Sequence, residues 1–188
     1  MKITIEGTRP LLMHNGQMKD PLNKYAKALA VLTGNKKKTE ADHHAIARAE
    51  FLGSLYFDDK IGPMLPIDVL QAAMQEGAAK RKKATEFKAL VEIVDKPEQG
   101  YKLDYVGPRA VDALFTKEFY LRKPAGVQGK SVIRTRPRFP VGWSCTLEVE
   151  RLDDGAPSED QIVQAFRDCG RLVGIGDWTP KYGRFVVK

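Results

Sequence analysis

The run Ser131-Val-Ile-Arg-Thr-Arg-Pro-Arg-Phe139 sets three arginines, Arg134, Arg136 and Arg138, at alternate positions. In an extended chain successive side chains point to opposite faces, so the three guanidinium groups project to one side, roughly 6.6 Å apart at about 3.3 Å per residue. Ile133, Thr135, Pro137 and Phe139 then face the other way, where they can pack. A row of guanidiniums at this spacing suits a polyanion, because each can grip a phosphate with two donors. Pro137 cannot donate to a ladder and favours an edge strand or hairpin. The expectation is an exposed basic ribbon that holds phosphates.

The charge distribution points the same way. Residues 117–138 carry seven basic side chains against the single acid Glu118, a net of +6 in a chain whose total is +7. Arg122, Lys123 and Lys130 belong to this excess and are expected to assist the three arginines from one hairpin, its tip near Pro124–Lys130. Concentrated positive charge of this kind is the footprint of a polyanion site. A second candidate is the glycine-bearing stretch Gly174-Ile-Gly-Asp-Trp-Thr-Pro-Lys-Tyr-Gly183. Its glycines permit close approach of backbone amides to a phosphate, Lys181 and Arg184 add charge, and Trp178 can stack on a base. The stretch lacks the Lys-Ser/Thr ending of a P-loop, so it is not a nucleotide-triphosphate motif.

Catalytic sets are sparse. His43 and His44 are adjacent on a helical stretch and diverge by about 100°, unlike metal-binding pairs at i, i+4. His14, near Arg9 and Lys19, could serve a ribonuclease as general base, but a plain loop histidine is the commoner reading. No catalytic residue, metal ligand or cofactor is assigned. Cys145 and Cys169 form no paired motif and read as reduced core residues of a cytoplasmic protein. The apolar runs are too short to span a bilayer, and the start of the chain reads as a strand rather than a signal peptide, so no membrane partner is expected.

These residues need a frame. Lys2–Gly7 alternates as a half-buried strand, and residues 8–20 read as a loop. A short helix over Pro21–Leu32 is followed by a Thr39/Asp42 capping box and a helix to about Tyr56, with Ile46, Ala49, Leu52 and Tyr56 on one stripe. Gly62–Pro66 turns the chain into a helix aligning Ile67, Leu70, Met74 and Gly77. Phe87–Val94, Tyr101–Val106, Lys117–Lys123, Val132–Phe139 and Trp143–Leu152 are expected strands. Ser158 and Gln161 cap a helix with Ile162, Phe166, Cys169 and Val173 on one stripe, and Arg184–Val187 is a final strand. Without insertions the order is β-α-β-β-α-β. The predicted fold is therefore α+β, a ferredoxin-like, RRM-like core in one domain (1–188), with insertions at about 8–65 and 100–140.

The C-terminal helix followed by Gly174-Ile-Gly176-Asp-Trp-Thr-Pro-Lys-Tyr-Gly183-Arg-Phe-Val resembles the glycine-rich loop and last strand of the RAMP superfamily, the RNA-binding proteins of CRISPR effector complexes. The opening strand with Arg9-Pro-Leu-Leu-Met-His14 is similar to the start of their backbone subunits. The run Val132-Ile-Arg-Thr-Arg-Pro-Arg-Phe before a strand with a tryptophan resembles small phage and prophage members. The resemblance rests mainly on the last 30 residues and on topology. It implies an RRM-like core that binds single-stranded RNA or DNA through its backbone and subunits that stack along the strand. It also places the protein in the cytoplasm, that of the host if phage-encoded. Residues 148–160, net −5, offer a charge partner for the basic hairpin of a second copy, so a homo-oligomer is expected. The expected function is low-specificity single-strand binding without enzymatic activity. Two alternatives are a RAMP-type metal-independent endoribonuclease and a phage assembly module that imitates a host complex. If the arginines only clamp phosphate, Arg134→Ala with Arg136→Ala weakens binding and barely moves the melting temperature.

Overall fold

A computed structural model of the protein describes every residue except Gln128, and gives Val127 and Lys130 by backbone only. In chain order the elements are β1 (Lys2–Gly7), β2 (Leu11–Leu12), α1 (Lys24–Gly34), α2 (Glu40–Ser54), β3 (Phe57–Asp58), β4 (Gly62–Pro66), α3 (Ile67–Ala79), α4 (Ala84–Leu90), β5 (Val91–Ile93), β6 (Gly100–Lys102), β7 (Tyr120–Val127), β8 (Lys130–Phe139), β9 (Ser144–Arg151), α5 (Glu159–Asp168) and β10 (Phe185–Val187). The architecture is α+β. Where the sequence reads as one domain with two insertions, the chain divides into two compact units. The first comprises Met1–Leu12, Phe57–Gly107 and Pro140–Lys188; the second, Met13–Tyr56 and Pro108–Phe139, is drawn from inside both expected insertions.

The first unit is built on an antiparallel sheet in the order β10-β1-β9-β5. Its alternation is the one visible in the sequence. Ile3 and Ile5 pair with Leu147 and Cys145, and these residues with Trp143, Val149 and Phe185 are buried. Burial pushes the Cys145 and Cys169 thiols up to about 12, and both cysteines are free. Against this core lie α3 and α5, through Leu70, Met74, Ile162 and Phe166. The two helices approach closely at Gly77, where an added Cβ would sit 1.8 Å from the carbonyl oxygen of Ala165. Asp168, buried on α5, ties them further by accepting hydrogen bonds from Arg81 and Gln164. Burial opposes its ionisation, but the Arg81 and Gln164 bonds with the charges of Arg81 and Arg171 outweigh it and hold its carboxyl below the usual 3.8.

Several elements differ from expectation. Phe87–Leu90 belongs to α4 rather than to a strand, because Ala84-Thr-Glu-Phe-Lys-Ala-Leu is rich in helix formers and buries Phe87 alone. The strand is only Val91–Ile93. Gly62–Pro66, expected to turn, is β4 between β3 and β6, and the expected strand Tyr101–Val106 shortens to β6. Beyond α5, Cys169–Val173 forms a π-helical turn.

In the second unit, the Thr39/Asp42 capping box starts α2 as expected, with Thr39 N–H donating to Asp42 and Asp42 N–H to Thr39. Its buried face differs. Ala47, Glu50, Phe51 and Ser54 are buried, while Ile46, Leu52 and Tyr56 are only half-buried. β7 and β8 form a long antiparallel hairpin, from Tyr120 opposite Pro137 to Val127 opposite Lys130. An aromatic cluster anchors it: Phe51 meets Phe115 edge-on at 5.4 Å, and Phe115 stacks on Tyr120 at 5.1 Å.

Candidate nucleic-acid interface

The alternating arginines do lie on an extended strand, but they do not form an exposed ribbon. Arg136 is buried, with 8% of its surface accessible, while Ile133 on the opposite face is 46% exposed. Arg134 Nη1 donates to Glu50 Oε1 at 2.8 Å, and its side chain is 29% exposed against 4% for Glu50. The other oxygen of Glu50 accepts from the backbone N–H of Thr135, also at 2.8 Å. One carboxylate from α2 thus takes a guanidinium and a strand donor together, which is why the arginine face turns into the unit. Arg136 Nη2 lies 3.5 Å from Nδ1 of His14, and Met13 N–H donates to Pro137 O alongside. Arg138 is half-buried and donates to the Glu118 carbonyl at 3.1 Å.

The hairpin's exposed cations are on β7. Arg122 stands opposite Thr135 and Lys123 opposite Arg134, and both side chains reach solvent. Neither takes part in the Glu50 arrangement. The Lys130 side chain lies outside the described residues. Glu50 was missed by sequence reasoning, since a glutamate on a helix reads as surface. Its signal was its company: Ala47, Ala49, Phe51, Gly53 and Ser54 make that turn of α2 a packing face.

In the first unit, the stretch from Gly174 to Gly183 is a tight, well-bonded loop. Gly183 has φ +71, and an added Cβ would lie 1.7 Å from Ile175 O, so both conformation and close approach require glycine there. Ile175 N–H donates to Gly183 O, Gly183 N–H to Pro10 O and Asp177 N–H to Leu12 O. Trp178 sits in the loop at φ +55, a left-handed conformation uncommon for a bulky residue and one that costs about 1–2 kcal/mol. Its backbone N–H is taken by its neighbour Asp177 Oδ1 at 3.1 Å. The half-buried rings of Trp178 and Tyr182 are 6.2 Å apart, and Lys181 Nζ lies 6.0 Å from the Tyr182 centroid. Arg184 Nε donates to Pro180 O. Arg184 O accepts from the N–H groups of Thr8 and Arg9, which brings the exposed Arg9 to the same end of the sheet. Trp178, Lys181 and Arg184 therefore share this loop and its exit, and the Arg9 backbone is bonded to Arg184.

The open face of the first unit's sheet is chemically different. Lys2, Thr4, Glu6, Glu92, Thr146, Glu148 and Glu150 alternate with the buried positions, and no aromatic side chain stands among them. That face offers no aromatic ring among these residues for a base to stack on, and its acids repel phosphate. Among the described residues no group of three or more His, Cys, Asp or Glu side chains is placed to hold a metal ion, and no helix is long and apolar enough to cross a membrane. No protein-family model and no curated protein matches the chain.

Proposed function

We propose that this protein binds single-stranded nucleic acid with little sequence specificity, holding phosphates and stacking bases rather than reading base edges. The observation that carries the reading is the loop at one end of the first unit's sheet. A tryptophan is held in a costly backbone conformation beside a tyrosine, with Lys181 Nζ near the tyrosine ring, Arg184 bonded to Pro180 O of the same loop and the Arg9 backbone joined to that of Arg184. Strain of this kind persists where the surrounding bonds over-determine it, and an aromatic pair among cations is what a single strand meets in non-specific binders. Arg122 and Lys123 of the hairpin supply further phosphate contacts, and Arg134 and Arg136 act from within the second unit. Strand order β10-β1-β9-β5 with α3 and α5 supports a ferredoxin-like core, and with the glycine loop it supports kinship with the RAMP superfamily. The acidic run 148–160 and the exposed cations of β7 support association of copies along a strand.

The test is binding of a fluorescent single-stranded oligonucleotide across a salt series. Log affinity should fall linearly with log salt. Arg122→Ala with Lys123→Ala should flatten that slope by about 0.7 for each phosphate that is no longer neutralised. Trp178→Ala should instead weaken binding by about 1–3 kcal/mol, roughly 5- to 150-fold, at an unchanged slope. An affinity indifferent to salt between 50 and about 200 mM removes the reading.

A further inference from the structure

The second unit carries a half-open pocket of about 310 Å³ whose lining is chemically mixed. Arg134, Arg136, Glu50 and His14 supply its polar wall, and Met18 and Leu29 its apolar one. We infer that this cavity is a subsite for one nucleotide, with the phosphate received by Arg136 and His14 and the base laid against Leu29 and Met18. The inference rests on the nucleic-acid reading for the class of ligand; Lys123 stands directly opposite Arg134 on the same face of the hairpin, and neither it nor Arg122 lines the pocket.

Charge, size and shape each narrow the ligand. Two guanidiniums face one carboxylate, so the lining is net positive even with His14 neutral, and a cation is disfavoured. Both Glu50 oxygens already accept hydrogen bonds, from Arg134 Nη1 and from Thr135 N–H. Glu50 is thereby bound to Arg134, so an anion entering beside Arg136 meets a guanidinium rather than a loose carboxylate. The volume lies at the small end of ligand pockets, roughly 300–1,000 Å³. It is sized for a single nucleotide. A thioether and a leucine offer a polarisable, apolar surface to a planar base, with no directional groups to read its edge. The same chemistry would take a free nucleoside monophosphate or the phosphorylated end of a strand.

Leu29 gives a clean handle, because α1 carries no buried residue and a larger side chain there fills the cavity without disturbing a core. Full-length protein is titrated calorimetrically with adenosine 5′-monophosphate and with adenosine. Single-stranded oligonucleotides bearing a 5′-phosphate or a 5′-hydroxyl are compared in parallel. Saturable 1:1 binding of the monophosphate, at least tenfold weaker for adenosine and at least tenfold weaker in Leu29→Trp, is expected. A preference for the 5′-phosphorylated oligonucleotide that Leu29→Trp abolishes identifies a strand end as the source; its absence alongside monophosphate binding identifies the free nucleotide. Arg136→Lys, which keeps charge but loses the two-donor fork, should weaken the monophosphate while leaving the circular dichroism spectrum unchanged. Equal affinity for phosphorylated and unphosphorylated forms throughout, or a Leu29→Trp variant that binds the monophosphate as the parent does, overturns the subsite. Binding of the 5′-hydroxyl oligonucleotide reports on the exposed interface alone. Its loss with monophosphate binding retained therefore sinks the interface and supports the cavity.

Discussion

Arg134→Ala should destabilise the protein as well as weaken its binding. Removing the guanidinium leaves Glu50, 4% exposed, holding the Thr135 N–H but without its ion-pair partner. Breaking a buried ion pair from one side costs about 3–5 kcal/mol, because an uncompensated charge stays behind. Arg134 is itself 29% exposed, and the adjoining cavity lets water reach the carboxylate, so the low end applies. About 3 kcal/mol in a chain of this size lowers the melting temperature by roughly 6–12 °C. Glu50→Ala leaves Thr135 N–H without its acceptor, at about 1–3 kcal/mol, while Arg134 can turn to water. In the double variant neither charge is stranded, so its loss should fall short of the sum by at least about 1 kcal/mol. Thermal melts and urea titrations of the four proteins complete the cycle. A single Arg134→Ala variant melting within a degree of the parent, or an additive cycle, would refute the pairing and return Arg134 to the role of an unencumbered phosphate clamp.

Three further perturbations test other parts of the structure. Thr135 Oγ1 is buried without a hydrogen-bond partner among the described residues, so the isosteric Thr135→Val should stabilise the protein by about 1 kcal/mol in urea unfolding; a loss of stability would mean that the hydroxyl is satisfied. Gly77→Ala gains up to about 1 kcal/mol of helix propensity, but its Cβ would meet Ala165 O at 1.8 Å. That contact is with backbone and forces α3 from α5, so a net loss of about 1–3 kcal/mol is expected, and a stabilised variant would show that the helices lie further apart. Asp168 has its carboxyl held below 3.8 in the folded state, so the native protein binds fewer protons than the unfolded chain. Its contribution is present above the unfolded value and is lost as pH falls through the lower folded one. Asp168→Asn should therefore lower stability at pH 7 and flatten the acid limb below about pH 4, and an unchanged limb would count against the Arg81 bond.

What the sequence makes legible is whatever is decided locally. The capping boxes at Thr39/Asp42 and Ser158/Gln161 depend on residues three apart, and both helices start where those boxes put them. The alternation of Trp143, Cys145, Leu147 and Val149 fixes a buried face within one strand. Ala84–Leu90 fails for the same reason: a single buried phenylalanine in one turn carries no period, and Val91 and Ile93 lend the run a strand's appearance. The arginines show the deeper limit. Alternation settles that Arg134 and Arg136 share a face, but what covers the face is set by α2, which reaches β8 from more than 80 residues earlier in the chain. A guanidinium row over solvent and one over a glutamate have the same sequence.

That difference changes how phosphate would be held. An exposed row of three arginines would bind by charge alone and at any register, as a sliding clamp. With Arg134 committed to Glu50 and Arg136 buried beside His14, the proposed binding would divide the hairpin's cations between two tasks. Arg122 and Lys123 on β7 would remain for diffuse, salt-sensitive contact, while Arg134 and Arg136 of β8 are held in fixed positions beside the pocket. Fixed donors lose little entropy on meeting a ligand and discriminate by shape, whereas mobile surface cations do neither. The two sets are therefore separable by salt. Raising ionic strength should strip the contacts of Arg122 and Lys123 first, since exposed charges are screened beyond about 8 Å at 0.15 M, and leave whatever Arg136 holds less affected. Parallel salt slopes for an oligonucleotide and for adenosine 5′-monophosphate would show that one set of cations serves both.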